Sequence, residues 1–221
     1  MNINTKSYWD NRFSSGDWES KKGRRQTKCF AKSQICHIPI SRDFDGTLLD
    51  FGCGLGDAFP IYRSAFPKAR LIGVDISDSA VESCRSQYGT IADFFQGDAS
   101  SILYADIVIA SNVLEHLYDD VGVARALLNK CKALFITVPY RERHPLHSEH
   151  INSYETDHFR ELGQYRYCIF ASPGWSQYGR KLWFDVYAKN VARLLLGRPV
   201  VRRATQIMFM FLDPPPETPS L

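Results

Sequence analysis

The chain has 221 residues, 44% of them hydrophobic and 23% charged, a balance that excludes a disordered or fibrous protein and fits one α/β domain able to bury about 70% of its unfolded surface. A formal charge of +3 alongside 24 acidic residues carries no strong nucleic-acid signal. The six cysteines form no C-x-x-C pair, the N-terminus MNINTKSYWDNRF has no apolar signal core, and no apolar run reaches the roughly 18 residues of a membrane span; reduced thiols and a cytoplasmic location are expected.

Residues 1–45 are polar and aromatic with a weakly periodic segment near 28–38, and predict an N-terminal helical cap. From residue 46 short apolar runs alternate with helical patterns, which is how successive βα units of a parallel sheet read. Strands are expected at 47–51, 70–74, 92–95, 105–110 and 133–138, with two more at 165–171 and 182–188. Together they predict a Rossmann-like, mostly parallel, seven-stranded sheet with helices on both faces.

Helices are expected at 57–65 and 79–88, the second opened by a capping box from Ser79 to Glu82, with Val81, Cys84 and Tyr88 on its buried face. Another begins at Asp119 and Asp120 and closes at Lys130 and Lys132, each charge complementing the dipole at its end. The polar stretch 140–160, rich in histidine, has the length of a functional lid after the fifth strand. Residues 191–221 read as a C-terminal extension whose short apolar run IMFMFL precedes prolines and a frayed end. The whole of 1–221 is expected to be one domain, with its core at 46–190.

The densest signal is LLDFGCGLGDAF, a strand running through Asp50 into Gly52, Gly54 and Gly56 and then a helix. Glycine suits a loop that turns tightly and lets a ligand approach the backbone. A nicotinamide-binding loop spaced G-x-G-x-x-G would need glycine at position 57, which is Asp57. Further on, GVDIS puts Asp75 at a strand end, where a carboxylate can accept from two ribose hydroxyls, and FFQGDAS supplies Asp98 and Ala99 after the third strand.

DFGCGLG resembles the first motif of class I S-adenosylmethionine-dependent methyltransferases, and the likeness extends over about residues 46–140. The resemblance implies S-adenosylmethionine as cofactor, with Asp50 near its ammonium and Gly52, Cys53, Gly54 and Gly56 along its methionine part. It further implies Asp75 on the ribose, Ile76 over the adenine, Asp98 and Ala99 at the adenine edge, and Asn112 near the sulfonium. SNVLEHL resembles the fourth motif of small-molecule and ubiquinone-pathway O-methyltransferases, and the stretch after the fifth strand is similar to that of bacterial enzymes acting on sugars and glycan precursors.

Methyl transfer is an in-line displacement, so alignment carries much of the rate, but an alcohol must still lose its proton. His116 is the candidate base, Glu115 its orienting partner, and His150 with Tyr154 candidate acceptor contacts. Related metal-dependent enzymes carry E-x-x-E-H, whereas the first position here is Asn112, a poorer ligand for a hard cation, and Pro145 interrupts the run of His144, His147 and His150; no metal is expected.

The leading expectation is O-methylation of a small molecule or glycan precursor. RNA or protein methylation is the alternative, disfavoured by the missing basic stripe and the missing N/D-P-P-Y/F tetrapeptide, and a non-catalytic module of the same fold is a third. The stretch LLLGRPVVRRATQIMFMF mixes Arg193, Arg198, Arg202 and Arg203 with apolar residues, a pattern open to membrane-surface contact or to a packed or dimer-forming edge.

Overall fold

The structure is a computed structural model, and it describes residues 3–142, 144–172, 187–198 and 205–212. Seven strands form one sheet: β1 (Thr47–Phe51), β2 (Arg70–Asp75), β3 (Asp93–Gln96), β4 (Ala105–Ser111), β5 (Cys131–Pro139), β6 (Arg166–Ala171) and β7 (Thr205–Leu212). Their order is β3-β2-β1-β4-β5-β7-β6. The first five are mutually parallel, and β7 runs antiparallel to both β5 and β6.

Alternation along the strands splits the core between two faces, since successive side chains point to opposite sides. Leu48, Ile107, Ile109 and Phe135 pack with Phe59, Tyr62 and Cys84 on one face. Leu49, Val108, Ala110, Leu134 and Ile136 pack with Leu127, Tyr154 and Phe209 on the other. Helices α4 (Phe59–Ala65) and α5 (Asp78–Tyr88) cover the first face and α6 (Asp120–Leu128) the second.

Local chemistry sets the helix starts. Asp119 accepts from Gly122 N at the head of α6, as its charge pattern predicts. The cap of α5 is Ser77, which accepts from Ala80 N, and not Ser79; the Ser79 hydroxyl instead donates to Asp10 O at 3.1 Å, tying α5 to the N-terminal segment. That segment folds as α1 (Lys6–Ser14), α2 (Asp17–Ser20) and α3 (Gly23–Ile35). Asp57, where a dinucleotide loop would carry glycine, is buried and clamps this cap: its carboxylate meets Arg24 at 3.2 Å and Lys28 at 3.3 Å and accepts from the Tyr88 hydroxyl at 3.0 Å.

The seventh strand is a correction. Of the expected strand at 182–188, residues 182–186 lie outside the described residues, while 187 and 188 are helical and lead into α7 (Lys189–Leu195). The strand is instead the apolar run of the tail, which inserts between β5 and β6 with Ile207, Met208 and Phe209 wholly buried. Those residues are therefore core and have no free apolar face for a membrane surface. Residues 213–221, expected to fray, lie outside the described residues. Among the described residues no helix is long and apolar enough to cross a membrane.

Candidate functional site

The carboxyl ends of β1, β2 and β4 open into a cavity of about 590 Å³, roofed by the N-terminal helices and the segment after β5. Open α/β sheets bind ligands at this end. All thirteen candidate residues except Gly56 line it: Asp50, Gly52, Cys53, Gly54, Asp75, Ile76, Asp98, Ala99, Asn112, Glu115, His116 and His150.

The glycine loop is held open by backbone geometry. Gly52 and Gly56 have φ of 73° and 75°, in the left-handed region. A Cβ on Gly52 would lie 2.4 Å from a Val113 methyl, and one on Gly56 would lie 2.8 Å from Cys84 Sγ, so Gly56 serves the packing of loop against α5 and not the cavity wall. At Gly54 the nearest atom to such a Cβ is Phe13 Cζ at 3.6 Å, which leaves its backbone facing the cavity.

Asp75 ends β2 with its carboxylate already oriented: Gly54 N donates to Oδ2 at 2.8 Å and Ser77 N to Oδ1 at 2.9 Å. Burial raises its pKa to about 6 against the lowering effect of these bonds. Asp50 is also buried beside the cavity, and desolvation with the nearby Asp75 charge lifts its pKa to about 8. Two buried carboxyls with raised pKa values form a site that gains from a cationic ligand group. Asp98 is exposed, and its Oδ1 accepts from the Ser100 hydroxyl at 2.6 Å and from Ser100 N at 2.9 Å, which lowers its pKa and shapes the turn after β3.

On the other side of β4 the polar groups are linked in series. Asn112, at φ 54°, donates from its backbone N to Thr137 O at 2.8 Å and from Nδ2 to Ser111 Oγ at 3.2 Å. Its Oδ1 accepts from Gln206 Nε2 at 2.5 Å. His116 donates from Nδ1 to the carbonyl of Glu149 at 3.0 Å, since a carbonyl only accepts, and this leaves Nε2 with a free lone pair. Burial holds its pKa down at about 4, so the ring is neutral near pH 7. Glu115 is buried, its carboxyl pushed up to about 8 by desolvation, and Oε2 has no partner among the described residues. His150 Nδ1 meets Glu142 Oε2 at 2.5 Å. One ligating atom each from Glu115, His116 and His150 lies within 4.8 Å of the others, a donor set compatible with a divalent cation as well as with proton transfer.

Tyr154 is not an acceptor contact: it is wholly buried on the far side of the lid, its hydroxyl donating to Asp120 Oδ2 at 2.9 Å, and His158 meets the same oxygen at 2.8 Å. His144 does not reach the cavity wall. In the N-terminal cap, Trp9, Trp18 and Gln26 line the cavity, whereas Arg24 and Arg25 do not. Sequence reasoning missed Gln206 on β7, Ser172 just after β6, Phe30 and Gln34 on α3, and Glu149, which holds α1 through the Tyr8 hydroxyl and Arg12 and, by its carbonyl, Asn4 just before it. A polar residue heading the apolar run of the tail was the available signal for Gln206.

Residues 49–135 match the family described as methyltransferase domain. A trans-aconitate 2-methyltransferase from Azoarcus sp. (strain BH72) is 27% identical over 123 residues, which cover 53% of this chain and 47% of the relative, so the match spans about half the length of that relative. Among solved structures, a chain from the complex with the Haloferax volcanii Trm112 methyltransferase activator superposes with a TM-score of 0.66 at 13% identity, covering 97% of this chain and 99% of its own. A plantazolicin methyltransferase in complex with SAH superposes with a TM-score of 0.58 at 14% identity, covering 92% and 94%. Coclaurine N-methyltransferase gives a TM-score of 0.59 at 12% identity, covering 84% and 71%.

Proposed function

We propose that this chain, a class I methyltransferase by its fold and its central domain, transfers a methyl group from S-adenosylmethionine to a hydroxyl of a small-molecule or glycan-precursor acceptor. The observation that carries the reading is the Asp75 carboxylate, buried at the end of β2 and aimed by Gly54 N and Ser77 N beside the glycine loop. Two vicinal ribose hydroxyls fit its remaining lone pairs. Asp50 fits the cofactor ammonium, Ile76 and Ala99 the adenine faces, and Asp98 Oδ2 the adenine amino group.

Held by Asp50, the glycine loop and Asp75, S-adenosylmethionine would supply a methyl carbon activated by its positive sulfur for in-line transfer to the acceptor oxygen, with S-adenosylhomocysteine as the leaving group. This chain's own residues position the acceptor near Asn112 and take its proton. His116 Nε2 is the acceptor of that proton, because Nδ1–H is committed to the Glu149 carbonyl. Alignment of this kind contributes several kcal/mol.

Calorimetry tests the cofactor assignment. S-adenosylmethionine and S-adenosylhomocysteine are expected to bind and NAD is not; the reverse preference would remove the reading. The affinity should also depend on pH with a definite sign. Asp50 is protonated below about 8 in the empty site, so pairing with an ammonium must expel that proton. Binding therefore strengthens as pH rises from about 6 to 8, by at most about tenfold per pH unit. The unliganded protein should behave oppositely: a carboxyl whose folded pKa is raised contributes stability below its unfolded pKa and loses it as pH climbs through about 8. Equal affinities at pH 6 and 8, with no proton release, would take Asp50 away from the ammonium.

A further inference from the structure

Gln206 is set up as a fixed hydrogen-bond acceptor. Its Nε2 is committed to Asn112 Oδ1, and Asn112 is oriented in turn because its Nδ2 donates to Ser111 Oγ. The amide of Gln206 therefore presents Oε1, which is buried, lines the cavity and has no partner among the described residues. A buried amide oxygen left unpaired costs on the order of 1–3 kcal/mol, and a ligand that pairs with it recovers that cost.

The sheet order separates Gln206 from the cofactor residues. Asp75 is on β2 and Asp50 on β1, whereas Gln206 is the second residue of β7, three strands beyond β1 and therefore roughly 14 Å across the sheet. Its pairing with Pro139 puts it at the carboxyl end of β5, the end at which the cavity opens. Between the two sets lie Asn112 and His116, whose Nδ1 is bonded to the Glu149 carbonyl and whose Nε2 is left as a second acceptor. Glu115 and Glu149 add buried carboxyl groups to the same half of the cavity. The cations in the wall, Arg12 and Lys21, come from the cap and are already paired, Arg12 with Asp17 and Glu149 and Lys21 with Asp17.

We infer that Gln206 is a specificity-determining contact, and that this half of the cavity takes an acceptor bearing two hydrogen-bond donors, one the reacting hydroxyl and the other an adjacent hydroxyl or amino group, and rejects a carboxylate. The inference rests on the methyl-transfer reading and deepens it. The reacting hydroxyl gives its proton to His116 Nε2, and the adjacent donor pairs with Gln206 Oε1. A carboxylate has no proton to offer either atom, and the wall cations Arg12 and Lys21 are already paired. The substrate named for the trans-aconitate relative is thereby the wrong chemistry for this cavity.

The test uses the full chain with chelator present and compares paired acceptors that differ by one donor: catechol with phenol, and cis-1,2-cyclohexanediol with cyclohexanol. trans-Aconitate is the anionic probe. S-adenosylhomocysteine binding is measured first, so that its loss reports on the cofactor reading and not on this one. In the wild type the two-donor member of a pair is expected to have a kcat/KM about tenfold above its partner. Gln206→Met, of similar length but without the acceptor, should erase that preference by raising KM for the two-donor member, with S-adenosylhomocysteine affinity and the melting temperature held. A purely structural Gln206 would lower all of these together. The inference is overturned by methylation of trans-aconitate, by equal rates within the pairs, by no transfer to any hydroxylated probe, by a preference that survives Gln206→Met, or by a preference that appears only with an added divalent cation, which would assign the selectivity to metal at Glu115, His116 and His150.

Discussion

His116→Ala is expected to lower turnover by about 10²–10⁴-fold while cofactor affinity stays within about twofold of the wild type. The ring is neutral, its Nδ1–H is spent on the Glu149 carbonyl, and Nε2 faces the cavity as a base. Trp9 of the cap and the acceptor-side His150 flank it edge-on, with ring centroids 5.1 Å away in each case. The deficit should shrink as pH rises toward the acceptor's own pKa, where the hydroxyl ionises unaided. Because burial keeps the pKa of the ring near 4, protonation of His116 does not depress the wild-type rate between pH 8 and 6. A structural role predicts another pattern, with melting temperature, binding and turnover falling together. Full activity in a stably folded His116→Ala protein would leave alignment alone as the source of rate.

Asp75→Ala should weaken S-adenosylhomocysteine binding by about ten- to a hundredfold, the equivalent of roughly 1.5–3 kcal/mol for charge-assisted bonds to two hydroxyls. The substitution also strips the Gly54 and Ser77 N–H groups of their acceptor, so the glycine loop loses an anchor along with the ribose. Asp75→Asn separates the two effects by keeping the bulk and one acceptor while removing the charge; calorimetry on both variants, beside their melting curves, is the measurement. An unchanged dissociation constant in a folded Asp75→Ala protein would remove this carboxylate from the ribose.

Six of the seven strands and the order of the cofactor-side residues were readable in one dimension, because each depends on a local rule. Thr47–Phe51 and Ala105–Ser111 are short apolar runs buried on both faces, and Gly52 stands where a left-handed turn meets the Val113 side chain. The positions of Asp50, Gly54, Asp75 and Asn112 follow from this, since the carboxyl end of a parallel strand is where its last residue must face the cavity.

The last strand was decided in three dimensions. TQIMFMFL reads as a short apolar tail until β5 and β6 offer it two antiparallel partners, and pairing from Ala133 to Pro139 then buries it and delivers Gln206 to Asn112 across 94 residues of chain. Ser79 and Glu82 match a capping box by spacing, yet Ser77 takes the cap because Asp10 of the N-terminal helix claims the Ser79 hydroxyl. Tyr154 looks like a site residue in a histidine-rich loop, but its hydroxyl is bonded to the buried Asp120 carboxylate and its ring packs in the core away from the cavity. Each of these outcomes turns on a partner distant in sequence, and a hydrogen bond or strand pairing of that kind leaves no trace in local spacing.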